Sequence, residues 1–541
     1  MGSDEEPTCV VQYAISKSKS EVFTLENAKP RQYRFLDCQH FLNKDIICIL
    51  AFSSLPTKPY AAVSHVWRDL ESTNKDEPSF AVYGLESEAP IAAEPLRIVC
   101  KAAIHFNCPL LWLDKLCVRQ DSRKPGDGKI DNEWQIQNMH AIYANSSVCL
   151  VMPGGMRRLA RLDEKTKWIE RAWTLQESLA PKDVYVVFEW DQGSVILQHN
   201  ASIEVKEVVE GKAAVVRLKA LLEGSLKSQV RIIKGERYQN FNSSPLQTLR
   251  VLGNPSEAQD ALFPIMALLG AMEHDVDSGR LNAIWRCTIL RSAKYHADMI
   301  YSIMGLMGVM LKDVDSERDS RDVVIEFTRA LTDRGMPADW LGIAPSLGPS
   351  LRMSTMPLLP LGDEDGVAYK EISPGKLKKI KTLLGHTRGN NTWYDDMWWW
   401  LKDVPVAKVD EAGYLTLKSR MVPIKKSADN KVYDEYEVQG NTPDTFIECF
   451  SKRAWNVMAA SFESSTHALV IGRKERYSSG IFSSIVNPNT TLLMLVEQGA
   501  ASAYRNIGYA WGDKDIASEW KERDFKVGGP SSPRIKDLLQ S

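Results

Sequence analysis

The sequence predicts an α/β protein whose N-terminal part forms a parallel sheet wrapped by helices. Between residues 61 and 189, short apolar segments alternate with amphipathic ones, and the links between them are short. This alternation is typical of strand–helix repeats, which build parallel sheets. Residues 246–331 have an almost wholly helical pattern, and segments of strand character follow from about residue 345. We therefore expect a helical region and then a β-containing C-terminal region.

Four strands are predicted in the N-terminal part. Residues 109–114 are nearly continuously apolar, as in a strand that is buried on both faces of its sheet. The strand at residues 147–152 is closed by the turn-forming sequence Pro153–Gly154–Gly155. The other two strands are residues 61–67 and 183–189.

Three helices are predicted between these strands. The first begins at Pro95, a residue that suits the first helical position, and its apolar residues recur at helical spacing. The second is amphipathic, and Asp131 or Asn132 can cap its N-terminus. The three predicted helices are residues 95–106, 134–144 and 168–179.

The composition divides the chain of 541 residues into five parts. A helix is expected at 205–222, and strands are expected at 413–418, 432–438, 468–472 and 491–496. The tryptophans of the Trp393–Trp400 cluster either pack the C-terminal region, which we favour, or form an exposed partner surface. The five parts are an N-terminal lead-in (1–57), the α/β domain (58–195), a helical region (196–345), a mixed, β-leaning region (346–525) and a flexible tail (526–541).

Charge and hydropathy exclude two classes of partner. The formal net charge is −2, so no basic field favours nucleic acid. The longest apolar runs fall short of the about 20 residues that cross a bilayer, so we expect no membrane span. The acidic N-terminus lacks the apolar segment of a secretory signal.

Nine scattered cysteines without a CxxC pair favour free thiols in a reducing compartment, and we expect a cytoplasmic protein.

Four motifs follow one another in the N-terminal part of the chain. They are SerHisValTrp (64–67), LeuTrpLeuAspLysLeuCysValArgGln (111–120), the segment from Glu133 to Asn145, and ArgAlaTrpThrLeuGlnGlu (171–177). With these motifs in this order, the chain over about residues 58–190 resembles the heterokaryon-incompatibility (HET) domain of filamentous fungi. Residues 297–306 also resemble a helix that often follows this domain. Arg68–Asp69–Leu70 stand where the family usually has a glycine soon after the first tryptophan.

The HET domain is in turn similar to the TIR fold, which implies a flavodoxin-like parallel sheet. Enzymatic TIR domains cleave NAD at the nicotinamide–ribose bond with one glutamate, which often lies four residues after a tryptophan. Trp173 and Glu177 have this spacing, so the resemblance implies catalysis by Glu177 in a pocket shaped by Trp173. A carboxylate near the ribose can stabilise the oxocarbenium-like charge. The alternative is that Glu177 caps its helix or pairs with Arg171, and that Trp173 belongs to the core.

Further candidate substrate-binding residues follow the predicted strands. Carboxyl ends of parallel strands meet at one edge of the sheet, where α/β proteins bind ligands. Asp114 either contacts ribose hydroxyls or holds the next loop through backbone amides. Ser64 and Arg68 share this edge, and Arg68 can meet a pyrophosphate. Gln120 extends the site or shapes its loop, and the loop-shaping role is favoured.

Several other kinds of site are disfavoured by the residues. Ser64 and His65 are adjacent in a strand and therefore point to opposite faces, which argues against a Ser–His nucleophile. No paired metal-ligand spacing occurs, so we expect no metal and no resident cofactor, with NAD as a substrate only.

The resemblance implies an intracellular effector of non-self recognition and programmed cell death. Enzymatic TIR domains generally need self-association, so regulated assembly and an unidentified activating protein partner are expected. The second hypothesis is a non-catalytic signalling adaptor that acts through homotypic domain assembly. In that case the motif residues are structural.

Overall fold

The computed structural model divides the chain into two compact units. The first comprises residues 1–265, 301–306 and 312–315, and the second comprises 266–300, 307–311 and 316–541. The structure describes residues 7–15, 22–67, 70–71, 77–121, 125–198, 202–226, 229–233, 245–253, 262–273, 277–343, 345–349, 355–362, 367–373, 375–380, 383, 399–428, 431–432, 444–449, 451–459, 461, 463–476, 490–499, 503–513 and 516–528.

The first unit is built on a sheet that has twelve strands in its described residues. A 3₁₀ helix, Trp168–Glu170, precedes the fifth α-helix. The elements of this unit are β1 (Thr8–Ala14), β2 (Val22–Phe23), β3 (Tyr33–Asp37), α1 (Cys38–Lys44), β4 (Ile46–Phe52), β5 (Tyr60–His65), β6 (Ser79–Val82), β7 (Ile91–Ala92), α2 (Ala93–His105), β8 (Leu110–Trp112), α3 (Asp114–Cys117), α4 (Asp127–Ala144), β9 (Val148–Met152), α5 (Trp173–Leu179), β10 (Val184–Glu189), β11 (Val195–Gln198), β12 (Ser202–Val209), β13 (Ala213–Arg217), α6 (Leu218–Ser225), β14 (Gln229–Ile233) and β15 (Leu246–Thr248).

Four parallel strands form the centre of this sheet, in the order β8-β5-β9-β10. Antiparallel strands continue the sheet on both sides, through β3 next to β8 and β13 next to β10. The first parallel strand in the chain, β5, lies between the second and the third, so the order reverses there. In open α/β sheets the carboxyl ends at such a switch point form the usual ligand crevice. The four predicted strands and the helix α2 are confirmed.

Three predictions about helices are corrected. The predicted helix at 205–222 is wrong, because β12 and β13 form a hairpin there before α6 begins. Gly211 has φ +61° in the connecting turn, a conformation that favours glycine, and valines on either side favour strands. Helix α4 begins at Asp127, so Asp131 and Asn132 lie inside it and do not cap it. The predicted helix at 168–179 is divided between the 3₁₀ turn and α5.

The remaining α-helices and strands follow β15 in the chain. They are α7 (Phe263–Glu273), α8 (Asp277–Thr288), α9 (Asp298–Met304), α10 (Ser320–Asp333), β16 (Leu361–Gly362), β17 (Ala368–Ser373), β18 (Lys376–Lys379), β19 (Trp399–Lys402), β20 (Ala407–Val409), β21 (Tyr414–Lys426), β22 (Thr445–Glu448), β23 (Ala454–Val457), β24 (Thr466–Arg476), β25 (Thr490–Gln498), β26 (Tyr504–Asp513) and β27 (Lys521–Gly528). The second unit contains a sheet that closes on itself. In this sheet β21 pairs with both β23 and β24, and the ring continues through β25, β26 and β22.

Three of the predicted C-terminal strands are confirmed, because those at 413–418, 468–472 and 491–496 lie in β21, β24 and β25. Val432 is the one described residue of the predicted strand at 432–438. The flexible tail predicted for 526–541 is corrected at its start, because β27 continues to Gly528, and residues 529–541 lie outside the described residues. Trp399 and Trp400 belong to β19, whereas Trp393 and Trp398 lie outside the described residues. Among the helices that the structure describes, none has the length and apolar character needed to cross a bilayer.

Candidate functional site

A chain of hydrogen bonds joins the end of β5 to α5. Ser64 is fully buried near the carboxyl end of β5. The indole Nε1 of Trp168 donates to Ser64 Oγ over 2.7 Å, and Ser64 Oγ donates to Glu177 Oε2. Because an indole N–H can only donate, the Ser64 oxygen accepts from Trp168 and its hydrogen is directed to Glu177. Ser64 therefore donates to the Glu177 carboxylate from the buried side.

Burial sets the acidity of Glu177. Its side chain lies on α5 with 8% of the residue exposed, and burial raises the pKa of Glu177 to about 7. The hydrogen bond from Ser64 and the positive charge of Arg171 oppose this rise in pKa. Arg171 also donates to the His65 carbonyl oxygen, with Nη1 at 3.1 Å. A carboxyl group with a pKa near neutrality can exchange a proton under ordinary conditions, as catalytic acids and bases do.

The next residue of β5, His65, pairs with Asp114. Its Nε2 lies 2.7 Å from Asp114 Oδ1, and its Nδ1 lies 2.8 Å from the Val66 carbonyl oxygen. Both distances are within hydrogen-bond range, so the His65 ring is held between the Asp114 carboxylate and the backbone of Val66. Burial favours the neutral form of Asp114, but the charge and hydrogen bond of His65 outweigh it and hold the pKa of Asp114 at about 2.

Asp114 also receives two further hydrogen bonds. The indole of Trp67 donates to Oδ2 over 2.9 Å, and the backbone N–H of Lys115 donates to Oδ1 over 2.6 Å. The second contact is the loop-holding role that the sequence left open. The Asp114 side chain remains 22% exposed, so the same carboxylate is also accessible from outside.

The side chains of Ser64 and His65 contact different carboxyl groups, on opposite faces of β5. The hydroxyl of Ser64 contacts Glu177 and Trp168, whereas the ring of His65 contacts Asp114. Alternation of side chains along a strand requires this separation. The edge of the sheet thus presents one carboxyl group with a raised pKa and one with a lowered pKa.

The structure describes two of the other three predicted site residues. Gln120 donates from Nε2 to the carbonyl oxygens of Asp114 and Val118, each over 3.0 Å, and so holds the turn after α3. Trp173 is the first residue of α5 and is half-buried. Arg68 lies outside the described residues. Among the described residues, no group of three or more His, Cys, Asp or Glu side chains is arranged to hold a metal ion.

Sequence reasoning missed the buried pair that supports the Asp114 loop. Arg34 on β3 and Asp131 on α4 form an ion pair whose side chains are both fully buried. Arg34 Nε also donates to the Cys117 carbonyl oxygen over 2.8 Å, and Arg119 Nη1 donates to the Ala28 carbonyl oxygen over 2.9 Å. The one available signal was an arginine inside the short strand TyrArgPheLeuAsp. Trp168 was missed as a site residue, and so was the pairing of His65 with Asp114.

Residues 60–163 of the chain match a protein-family model. No curated protein and no solved structure matches the chain. The matched segment runs from the start of β5 past the end of β9, and it includes Ser64, Asp114 and Gln120. Trp173 and Glu177 lie beyond it. Residues 60–163 match the family model described as heterokaryon incompatibility protein (HET).

Proposed function

We propose that this protein acts in heterokaryon incompatibility as a cytoplasmic cell-death effector, and that it cleaves NAD at the nicotinamide–ribose bond with Glu177 as the catalytic residue. The observation that carries the proposal is the setting of the Glu177 carboxyl group. It is held by Ser64 beside the carboxyl end of β5, at the switch point of the sheet, with a pKa of about 7. The HET match to residues 60–163 supports the biological role.

The order of the parallel strands supports a flavodoxin/TIR-like sheet. Numbered along the chain, β5, β8, β9 and β10 are arranged in the order 2-1-3-4. Flavodoxin-like sheets begin with this order. The reading is independent of the motif resemblance, because it rests on strand pairing alone.

Cleavage of the nicotinamide–ribose bond requires the protein to position the substrate and to stabilise a developing positive charge. When the bond between ribose C1′ and the pyridinium nitrogen breaks, its electron pair leaves with neutral nicotinamide and positive charge develops on the ribose. An ionised Glu177 stabilises that charge, and water then adds at C1′ and releases a proton to the solvent. Turnover should therefore rise with pH as Glu177 ionises through about pH 7.

The proposal also assigns the contacts with the substrate. Asp114 is assigned to the ribose hydroxyls through its exposed part, Arg68 to the pyrophosphate, Trp173 to the wall of the pocket and Gln120 to the loop beneath it. Self-association and an unidentified activating protein partner complete the proposal, because enzymatic TIR domains act as assemblies.

The test is nicotinamide release by the purified full-length chain at low and high protein concentration. Glu177→Gln keeps the acceptor for Ser64 and should abolish release. Glu189→Gln, which changes an exposed carboxylate at the end of β10, is the matched control and should retain it. Absence of release from the folded wild type at every concentration favours the adaptor or shows that the activating partner is required.

A further inference from the structure

Two thiols of the first unit meet at an edge of its sheet. Cys9 Sγ and Cys48 Sγ lie 3.0 Å apart, although 39 positions separate them in the sequence. Cys9 is on β1, the terminal strand in the sheet order, and Cys48 is on its neighbour β4. Both are free cysteines in this structure.

The pairing of the two strands explains the contact. Cys9 lies opposite Leu50, and Cys48 lies opposite Gln12. Residues 48 and 50 of one strand point to the same face, so Cys48 is a diagonal neighbour of Cys9 on that face. The register also shifts between Cys9 and Val11, where an irregularity adds a residue to β1. Such bulges change the local direction of side chains, which brings this diagonal pair within reach.

We propose that Cys9 and Cys48 are a redox modification site, and that a hydroperoxide oxidises them to an intramolecular disulfide. The peroxide oxygen first accepts the electron pair of the Cys9 sulfur, which gives a sulfenic acid and water, or an alcohol from an organic peroxide. The Cys48 sulfur then displaces the hydroxyl group from Cys9. Its proton leaves with that hydroxyl group as a molecule of water. The two sulfurs lose two electrons in all, and the peroxide gains them.

The exposure of the two cysteines decides which thiol reacts with the peroxide first. Cys9 is exposed, so peroxide reaches it directly, whereas Cys48 is buried with 4% of its surface accessible. Burial and the adjacent Cys9 raise the pKa of Cys48 to about 12, so Cys48 is a poor first nucleophile. Its proximity suits it to the second step. A disulfide needs the sulfurs to approach from 3.0 Å to about 2.05 Å, which side-chain rotation can supply.

The disulfide would fasten the edge strand to the sheet. Among the strands that the structure describes, β1 stands at the end of the sheet order and pairs with β4. A covalent link across β1 and β4 would suppress local opening of this edge. The amide hydrogens of β1 should then exchange more slowly in the oxidised protein than in the reduced protein.

The experiment treats the reduced full-length chain with one equivalent of hydrogen peroxide, then alkylates the remaining thiols under denaturing conditions with N-ethylmaleimide. Lys17 and Lys44 lie between the relevant cysteines, so trypsin places Cys9, Cys38 and Cys48 on separate peptides. Without reduction, a cross-linked pair of peptides should contain Cys9 and Cys48. Two of the nine thiols should resist alkylation, and both should return after treatment with a thiol reductant.

Two variants make the result specific. Cys48→Ser should abolish the cross-linked peptide and leave Cys9 as a sulfenic or sulfinic acid. Cys108→Ser, which changes another buried cysteine of the same unit, should keep it. Over-oxidation of Cys9, a disulfide between two chains, or a link from Cys9 to any other cysteine in the wild type overturns the proposal.

Discussion

Trp168 Nε1 lies 2.7 Å from Ser64 Oγ, and this contact decides the direction of the hydrogen bond between Ser64 and Glu177. Trp168→Phe removes the donor and frees the Ser64 hydroxyl to rotate. We expect a loss of about 1 kcal/mol in the free energy of unfolding. We also expect nicotinamide release to fall about tenfold in kcat, the effect of a loss of about 1.4 kcal/mol in transition-state stabilisation.

Trp190→Phe is a matched control for that prediction. The Trp190 indole donates to the Gly193 carbonyl oxygen, also over 2.7 Å, and it is similarly buried. Its loss should cost comparable stability in urea unfolding and leave kcat unchanged. Equal effects of the two variants on kcat would show that Trp168 acts through general stability alone.

Glu177→Gln should stabilise the folded protein at alkaline pH. The folded pKa of Glu177 is about 7, above the ordinary 4.5, so its contribution to stability is complete below pH 4.5 and is lost as pH rises through 7. A neutral glutamine avoids this loss. The variant should gain on the order of 3 kcal/mol over wild type at pH 8 relative to pH 5. Urea unfolding at both pH values measures the gain, and an equal difference at pH 5 and pH 8 would contradict the raised pKa.

Asp131→Asn should be among the most destabilising single changes in the first unit. It leaves the Arg34 guanidinium fully buried without its counter-charge, which typically costs about 3–5 kcal/mol. Asp315→Asn is the control, because Asp315 pairs with Lys129 where both side chains are partly exposed. That change should cost less than about 1 kcal/mol. Denaturant midpoints of the two variants compare the costs directly.

Gly84→Ala should disturb the loop that contains Gln120. A methyl group at Gly84 would lie 2.4 Å from the Gln120 carbonyl oxygen, and Gly84 also has φ +84°. Gly193 has a similar φ of +72° with no neighbouring atom within 4 Å, so Gly193→Ala reports the backbone strain alone. We expect about 1–2 kcal/mol for Gly193→Ala and a clearly larger loss for Gly84→Ala. Similar thermal shifts for the two variants would argue against a steric role.

The central strands could be predicted because their burial is visible in local sequence. A parallel strand covered on both faces is a short apolar run, as Leu110–Trp112 is. The start of α4 could not be found in this way, because its buried face contains Gly128, Asp131 and Gln135 instead of apolar residues. The hairpin of β12 and β13 was mistaken for a helix because short valine-rich segments fit both periodicities.

The candidate site could be predicted only in part, for a related reason. The rule that strand ends share an edge leads to Ser64 and Asp114 from sequence alone, whereas Glu177 was proposed from the resemblance to TIR domains. Their partners depend on contacts between distant residues, and local patterns do not record them. Trp168 is 104 positions from Ser64, and Arg34 comes from an antiparallel strand outside the repeating pattern.

The arrangement of β5 between two later strands has a consequence for synthesis on the ribosome. Tyr60–His65 emerges first, yet its neighbours β8 and β9 lie at 110–112 and 148–152. The 87 positions from His65 to Met152 take about 4–17 s to translate at about 5–20 residues per second. During that time the strand that positions Ser64 has no partner on at least one edge. Shielding of the nascent chain over this interval should therefore determine how much protein reaches the folded state.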